Sequence, residues 1–218
     1  MTNRLQEELV ELRRMVLTMG AAVEQRLAMI VQSLTEGDFD SAVIVRHGDK
    51  EIDQMELEIE ETCLRALALS HPVASDLRFV LAALRINADL ERIGDLAKSV
   101  AKRIIAISEC EQCSLPEGIT KMATYARTMF ADVLRSLAES DVRLARHIRT
   151  EDRRIDDLQK ELFAWARREI PEHVEVTQVA LEVLSMTRAL ERIGDHTTNI
   201  AEEVIFLVEG AVVRHGER

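Results

Sequence analysis

Glu91 and Asp95 stand four residues apart, and Glu191 and Asp195 repeat the pair 100 residues later. Both pairs fall in the same six-residue word, LERIGD, at Leu90–Asp95 and Leu190–Asp195. A four-residue step puts both carboxylates on one face of a helix, where like charges are mildly destabilising. A compensating charge outside the helix is expected, and a metal cation is the sharpest candidate. Two more acidic pairs, Asp49/Asp53 in GDKEIDQ and Asp152/Asp156 in EDRRIDD, share the pattern D-x-x-I-D.

Counting ties the four pairs together. In an antiparallel helix pair with a short turn, residues equidistant from the turn lie level. Residue 72 is the midpoint of Asp49 and Asp95 and also of Asp53 and Glu91, and Pro72 stands there. In the second half, Asp152 with Asp195 and Asp156 with Glu191 are both centred on 173.5, beside Pro171. Each half therefore brings four carboxylates to one height if the helix faces match. Without a cation they would repel and carry raised pKa values. Oxygen-only ligands suit hard cations such as magnesium, manganese or iron, in sites of more than one ion; zinc is less favoured without His or Cys. The competing reading is a solvated face with Arg92, Arg192, Arg153 and Arg154 as partners.

The second half has the richer stripe. Asn199 and Glu203 follow Asp195 at four-residue steps, whereas their counterparts Ser99 and Arg103 are poorer ligands, so unequal sites are expected. Glu24 and Asp132 are looser candidates. His196 aligns with Leu96 and is expected to be a partly exposed helix residue or a donor behind the ligands; His47 and His71 are expected at the surface near turns. Gly94 and Gly194 interrupt strong helical patterns, at about 1 kcal/mol relative to alanine. Either a neighbouring helix comes close there or a metal cluster needs the room. Cys110 and Cys113 form a C-x-x-C without further zinc ligands nearby and are read as incidental loop residues.

The elements that position these residues are helices. Leu5, Leu9, Leu12, Val16, Met19, Val23, Leu27, Ile30 and Leu34 recur mostly in alternating steps of four and three, a bundle seam over about Asn3–Leu34. A second helix is expected over Asp40–Leu69, with Ile44, Ile52, Met55, Ile59, Cys63, Ala66 and Leu69 on one side, and a third over Val73–Ile107. Helices over Ile119–Ala138, Val142–Glu169 and Glu172–Glu209 repeat the plan, with turns near Gly37, Pro72, Ser140 and Pro171. No segment alternates with period two long enough for a strand. The expected fold is all-α: two tandem antiparallel three-helix bundles related by internal duplication. The first covers residues 1–108, a linker 109–118, the second bundle 119–210, and a tail 211–218.

Composition limits the functions. Hydrophobic residues make up 47% and aromatics 3%, so the core must be aliphatic. A formal charge of −11 argues against a nucleic-acid sleeve and against an electrostatic grip on anionic lipid, though net charge sets no bound on local patches. No apolar run exceeds six residues, so no membrane span is expected. The N-terminal residues lack the apolar block of a secretory signal, which makes the cytoplasm the expected location.

HPVASDLR at His71–Arg78, ADLERIGDLAKSVAKRI at Ala88–Ile104 and LERIGDHTTNIAEEV at Leu190–Val204 resemble the PhoU family of phosphate-transport accessory proteins. The GD-x-x-ID of the second helix and its echo in the fifth belong to the same resemblance, which spans nearly the whole chain. It implies two similar three-helix bundles whose E/D-x-x-x-D motifs hold multinuclear metal clusters. Those motifs match Asp49/Asp53, Glu91/Asp95, Asp152/Asp156 and Glu191/Asp195. It also implies a non-enzymatic negative regulator of the phosphate-starvation response. Such a protein is a homodimer that acts between the phosphate ABC transporter and a phosphate-sensing histidine kinase, associated with those membrane partners from the cytoplasm. The first motif continues LAKS where the second continues HTTN, so the first cluster is expected to be the weaker. CEQC has no place in the family pattern. The alternative is a metal-dependent hydrolase on a helical bundle. A ferritin-like oxidase would need Glu-x-x-His motifs, which both repeat cores lack. A purely structural coiled coil would not require LERIGD twice.

Overall fold

The computed structural model describes residues 2–70, 72–110 and 115–211, all helices and short turns. The chain runs α1 (Thr2–Glu36), α2 (Phe39–His47), α3 (Asp49–Ser70), α4 (Ser75–Ser108), α5 (Glu117–Glu139), α6 (Val142–Glu172) and α7 (Thr177–Glu209), with a 3-10 turn at Val174–Val176 before α7. The fold is all-α, as the periodicity predicts, and it repeats. The first unit is α1 with α2–α3 and α4, and the second is α5 with α6 and α7. Cys113 and His71 lie outside the described residues, as does the side chain of Asp49.

The turns of the two repeats are built alike. Gly37 and Ser140 both take left-handed backbone, φ 69° and 57°. Asp38 and Asp141 follow as N-caps that accept hydrogen bonds from Ser41 N and from Arg143 N and Leu144 N. Ser33 and Ser136 donate their hydroxyls to the Asp38 and Asp141 carbonyls at 2.7 and 2.8 Å.

Two boundaries differ from the sequence reading. The helix expected over Asp40–Leu69 is broken at Gly48 into α2 and α3. Arg26, from α1, donates to the Gly48 carbonyl and holds the break open. The break shifts the helical phase, so Val45 is buried and Ile44 points outward. Leu69, expected on the same seam, is also exposed. At the other boundary α6 runs through Pro171 to Glu172, and the chain turns at His173–Val176 instead. That turn lies on the 173.5 midpoint that the carboxylate counting found.

The core is aliphatic. Leu12, Val16, Met19, Val23, Leu27 and Ile30 of α1 are all buried, which makes this seam the spine of the first unit. The two units pack through α1 on α5 and α4 on α7, leaving α2–α3 and α6 on opposite flanks. Contacts order α4 and α7 antiparallel: Arg85 meets Glu203, Asp89 meets His196, and Arg103 meets Glu182. This register sets the two ERIGD motifs side by side at the centre. On α1 and α5, Glu24 pairs with Arg127 at 2.9 Å. These two occupy equivalent positions in the repeats, so their contact lies at a pseudo-two-fold axis.

Candidate functional site

Each ERIGD motif faces the middle helix of its own repeat. A Cβ on Gly94 would lie 3.0 Å from Ile52 Cδ1, and one on Gly194 would lie 2.7 Å from Ile155 Cδ1. Ile52 and Ile155 are the isoleucines of the two D-x-x-I-D patterns. The glycines are therefore explained by close helix approach: each isoleucine seats over a glycine, and the acids on either side are drawn towards the same surface. On Gly194 the added Cβ would also meet Asp152 Oδ1 at 3.2 Å.

The second cluster has the crowded electrostatics that the counting predicts. Burial raises the Glu191 pKa, and Asp195, Asp156 and Asp152 raise it further against the opposing pull of Arg192. Asp195 is also raised, by desolvation first and by Asp156, against His196 and Arg192. In the first cluster Glu91 is raised by burial, by Asp95 and by Glu56. Arg92 lies 3.5 Å from Glu91 and 3.9 Å from Asp95, but it is 60% exposed and does not reverse that direction. The arginine-compensated reading thus holds only in part. Arg154 pairs with Glu151 at 3.2 Å.

The carboxylates sense one another without yet converging. Among the described residues no three His, Cys, Asp or Glu side chains stand close enough to share an ion. Asp53, Asp95 and Asp195 are exposed, and Asp156 is half-buried. An acid-only set on one surface is chemically suited to a hard cation. Closing on one requires the side chains to turn.

Two expected ligands lie elsewhere. Glu203 is buried, with Arg85 of α4 at 3.2 Å, on the face between the repeats. Asn199 donates to Asp89 at 3.3 Å on that same face. The stripe continues by number, but the helix rotates its later residues from α6 towards α4. His196 also reaches Asp89, at 2.8 Å. Glu24 is paired with Arg127, and Asp132 with Arg135.

Two residues of the first cluster went unread. Glu56 follows Asp53 by three, a same-face spacing that a search for four-residue pairs passes over. Arg26 stands in the α1 seam between Val23 and Ile30, at 6% exposure, beside Glu51 and Asp53. A charge at a seam position was the available signal. The equivalent residue of the second repeat is Met129, so Arg26 has no cationic counterpart at that position.

The PhoU domain family matches residues 16–104 and again residues 119–204, the two repeats seen here. The chain belongs to the PhoU family. A PhoU homologue of Pseudomonas putida, described as a phosphate-specific transport system accessory protein, is 39% identical over 211 residues, covering 95% of this chain and 82% of that one. Escherichia coli PhoU, of the same description, is 33% identical over 208 residues, covering 95% and 86%. The crystal structure of PhoU from Pseudomonas aeruginosa superposes with a TM-score of 0.90 at 35% identity, over 94% of this chain and 99% of that chain. The phosphate transport system regulatory protein PhoU from Streptococcus pneumoniae gives 0.88 at 30%, over 96% and 99%. Membership supports an accessory or regulatory role in phosphate transport. Among the described residues no helix is long and apolar enough to cross a membrane.

Proposed function

We propose that this PhoU-family chain is a non-catalytic negative regulator of the phosphate-starvation response. It acts from the cytoplasm as a homodimeric adaptor between a phosphate ABC transporter and a phosphate-sensing histidine kinase. Its acidic clusters hold magnesium, manganese or iron, with Asp152, Asp156, Glu191 and Asp195 as the stronger set and Asp49, Asp53, Glu91 and Asp95 as the weaker. Asn199 and Glu203 are outside this proposal, because Asp89 and Arg85 engage them.

The observation that carries the regulatory reading is the match to phosphate-specific transport accessory proteins over 95% of this chain and more than four-fifths of theirs. The metal reading is supported by the raised pKa values of Glu191, Asp195 and Glu91, which a bound cation would lower. Deleting the gene is expected to switch on phosphate-starvation promoters in phosphate-rich medium. Normal phosphate control in the deletion strain, with no second copy of the gene, removes the regulatory role. Metal-dependent hydrolysis of a phosphorylated substrate that is lost with Glu191→Ala/Asp195→Ala would install the hydrolase reading instead.

A further inference from the structure

One surface reverses the charge of the molecule. The chain has a formal net charge of −11, yet a groove of about 520 Å³ at the α4–α7 surface is lined by Arg46, Arg92, Lys102, Arg103 and Arg192, with His47 alongside. Asp95 is the one carboxylate among its lining residues. Arg103 is tied to Glu182 at 3.1 Å and Arg92 reaches Asp95 at 3.9 Å. Among the described residues Arg46, Lys102 and Arg192 have no carboxylate at ion-pair distance. The Nε of Arg103 is buried without a hydrogen-bond acceptor.

The second repeat shows that the bundle does not require this charge. Lys98, Ser99, Lys102 and Arg103 correspond there to Thr198, Asn199, Glu202 and Glu203. Arg46 corresponds to Arg149, which pairs with Glu202 at 3.3 Å. The first repeat puts Lys102 where that neutralising glutamate would be. The same helices are thus built twice, once with the arginine satisfied and once with a second cation set beside it. Collected like charge in a groove raises the local concentration of counter-ions and favours a ligand of opposite sign.

We infer that this groove binds a small anion carrying two or more linked phosphoryl groups. Guanidinium forks match phosphoryl oxygens in pairs, and lysine adds a point charge. The cations come from three helices, α2, α4 and α7. The volume lies in the range of small-ligand pockets, about 300–1,000 Å³. No Phe, Tyr or Trp lines the groove, so a nucleobase has no large aromatic platform there. The site needs neither a metal nor a protein partner, so it stands or falls apart from the regulatory reading.

The test titrates tripolyphosphate into the full chain, stripped of metal and dialysed free of chelator. One saturable site is expected, with affinity falling as salt rises. Arg46→Gln/Lys102→Gln should weaken binding at least tenfold, and Lys121→Gln, on exposed α5 surface, should leave it unchanged. Orthophosphate and citrate should each bind at least tenfold more weakly than tripolyphosphate. ATP binding equal to tripolyphosphate identifies the phosphoryl chain itself as the ligand; tighter ATP binding identifies a nucleotide as its source, and both uphold the site. Tripolyphosphate should also shield Lys102 from acetylation in the unmutated chain, a readout independent of the variants' folding. No saturable binding, equal affinity for citrate, unchanged affinity in a folded double variant, or no shielding of Lys102 would each overturn the inference.

Discussion

The tip of Ile155 occupies the space that a side chain on Gly194 would need, 2.7 Å from the position of its Cβ. Ile155 is fully buried, so it has little room to give. Alanine improves helix propensity by about 1 kcal/mol, while overpacking costs about 1–3 kcal/mol. Gly194→Ala is therefore expected to lower stability by about 1 kcal/mol, read by urea denaturation. Gly94→Ala, facing Ile52 at 3.0 Å, should be near neutral. Ile155→Val should relieve part of the Gly194→Ala penalty in a double-mutant cycle. A stabilised Gly194→Ala variant would remove the close-approach account.

Metal content should separate the two repeats. Glu191→Ala/Asp195→Ala is expected to lower bound manganese more than Glu91→Ala/Asp95→Ala. The reason is that Arg26 stands near Asp53, whereas Met129 holds the equivalent place in the second repeat. Glu203→Gln should leave metal content unchanged. Loss of metal in Glu203→Gln would return that residue to the ligand set.

The raised carboxylates set a pH dependence. Glu91 and Glu191 lie above their ordinary 4.5 and Asp195 above its ordinary 3.8. Between those ordinary values and the higher folded ones, the native state binds more protons than the unfolded chain. Their contribution to stability therefore declines as pH rises from about 4 through the folded pKa values. Metal-free protein carrying Glu191→Gln/Asp195→Asn should lose part of this decline relative to the unmutated chain. Manganese should stabilise the unmutated chain more at pH 7 than at pH 4.5. Identical pH–stability curves for variant and parent would refute the crowding.

Arg85 and Glu203 are unequally exposed, 42% and 2%. Removing the arginine takes a counter-charge from a buried carboxylate, whereas removing the acid leaves an arginine that can turn to water. Arg85→Ala should cost about 2 kcal/mol, below the usual loss for a fully buried pair because Arg85 is partly solvated. Glu203→Gln should cost less. The opposite order in chemical denaturation would count against this asymmetry.

Much of this was legible in the sequence because it obeys short-range rules. The α1 seam, the turns at Gly37 and Ser140, and the nearness of Asp152 and Asp156 to Glu191 follow from periodicity, breakers and counting. The break at Gly48 was not legible, since it depends on Arg26 reaching across from α1. The placing of Asn199 and Glu203 was missed for a related reason. A four-residue step drifts around a 3.6-residue helix, and after two steps from Asp195 the side chain faces α4. Glu56 and Arg26 act through space on residues distant in number, which a search within single helices does not reach.

The axis relating the repeats bears on their origin. Two copies of one module meeting across such an axis would contact through identical patches, and every position on one copy would be duplicated on the other. Glu24 would then face Glu24, and the position of Arg103 could never differ from that of Glu203. Joining the modules in one polypeptide lifts that constraint. The central Glu24–Arg127 pair and the opposite charges of Lys102 and Glu202 are closed to two identical copies and open to a fused pair, whose halves are free to specialise while sharing a single interface.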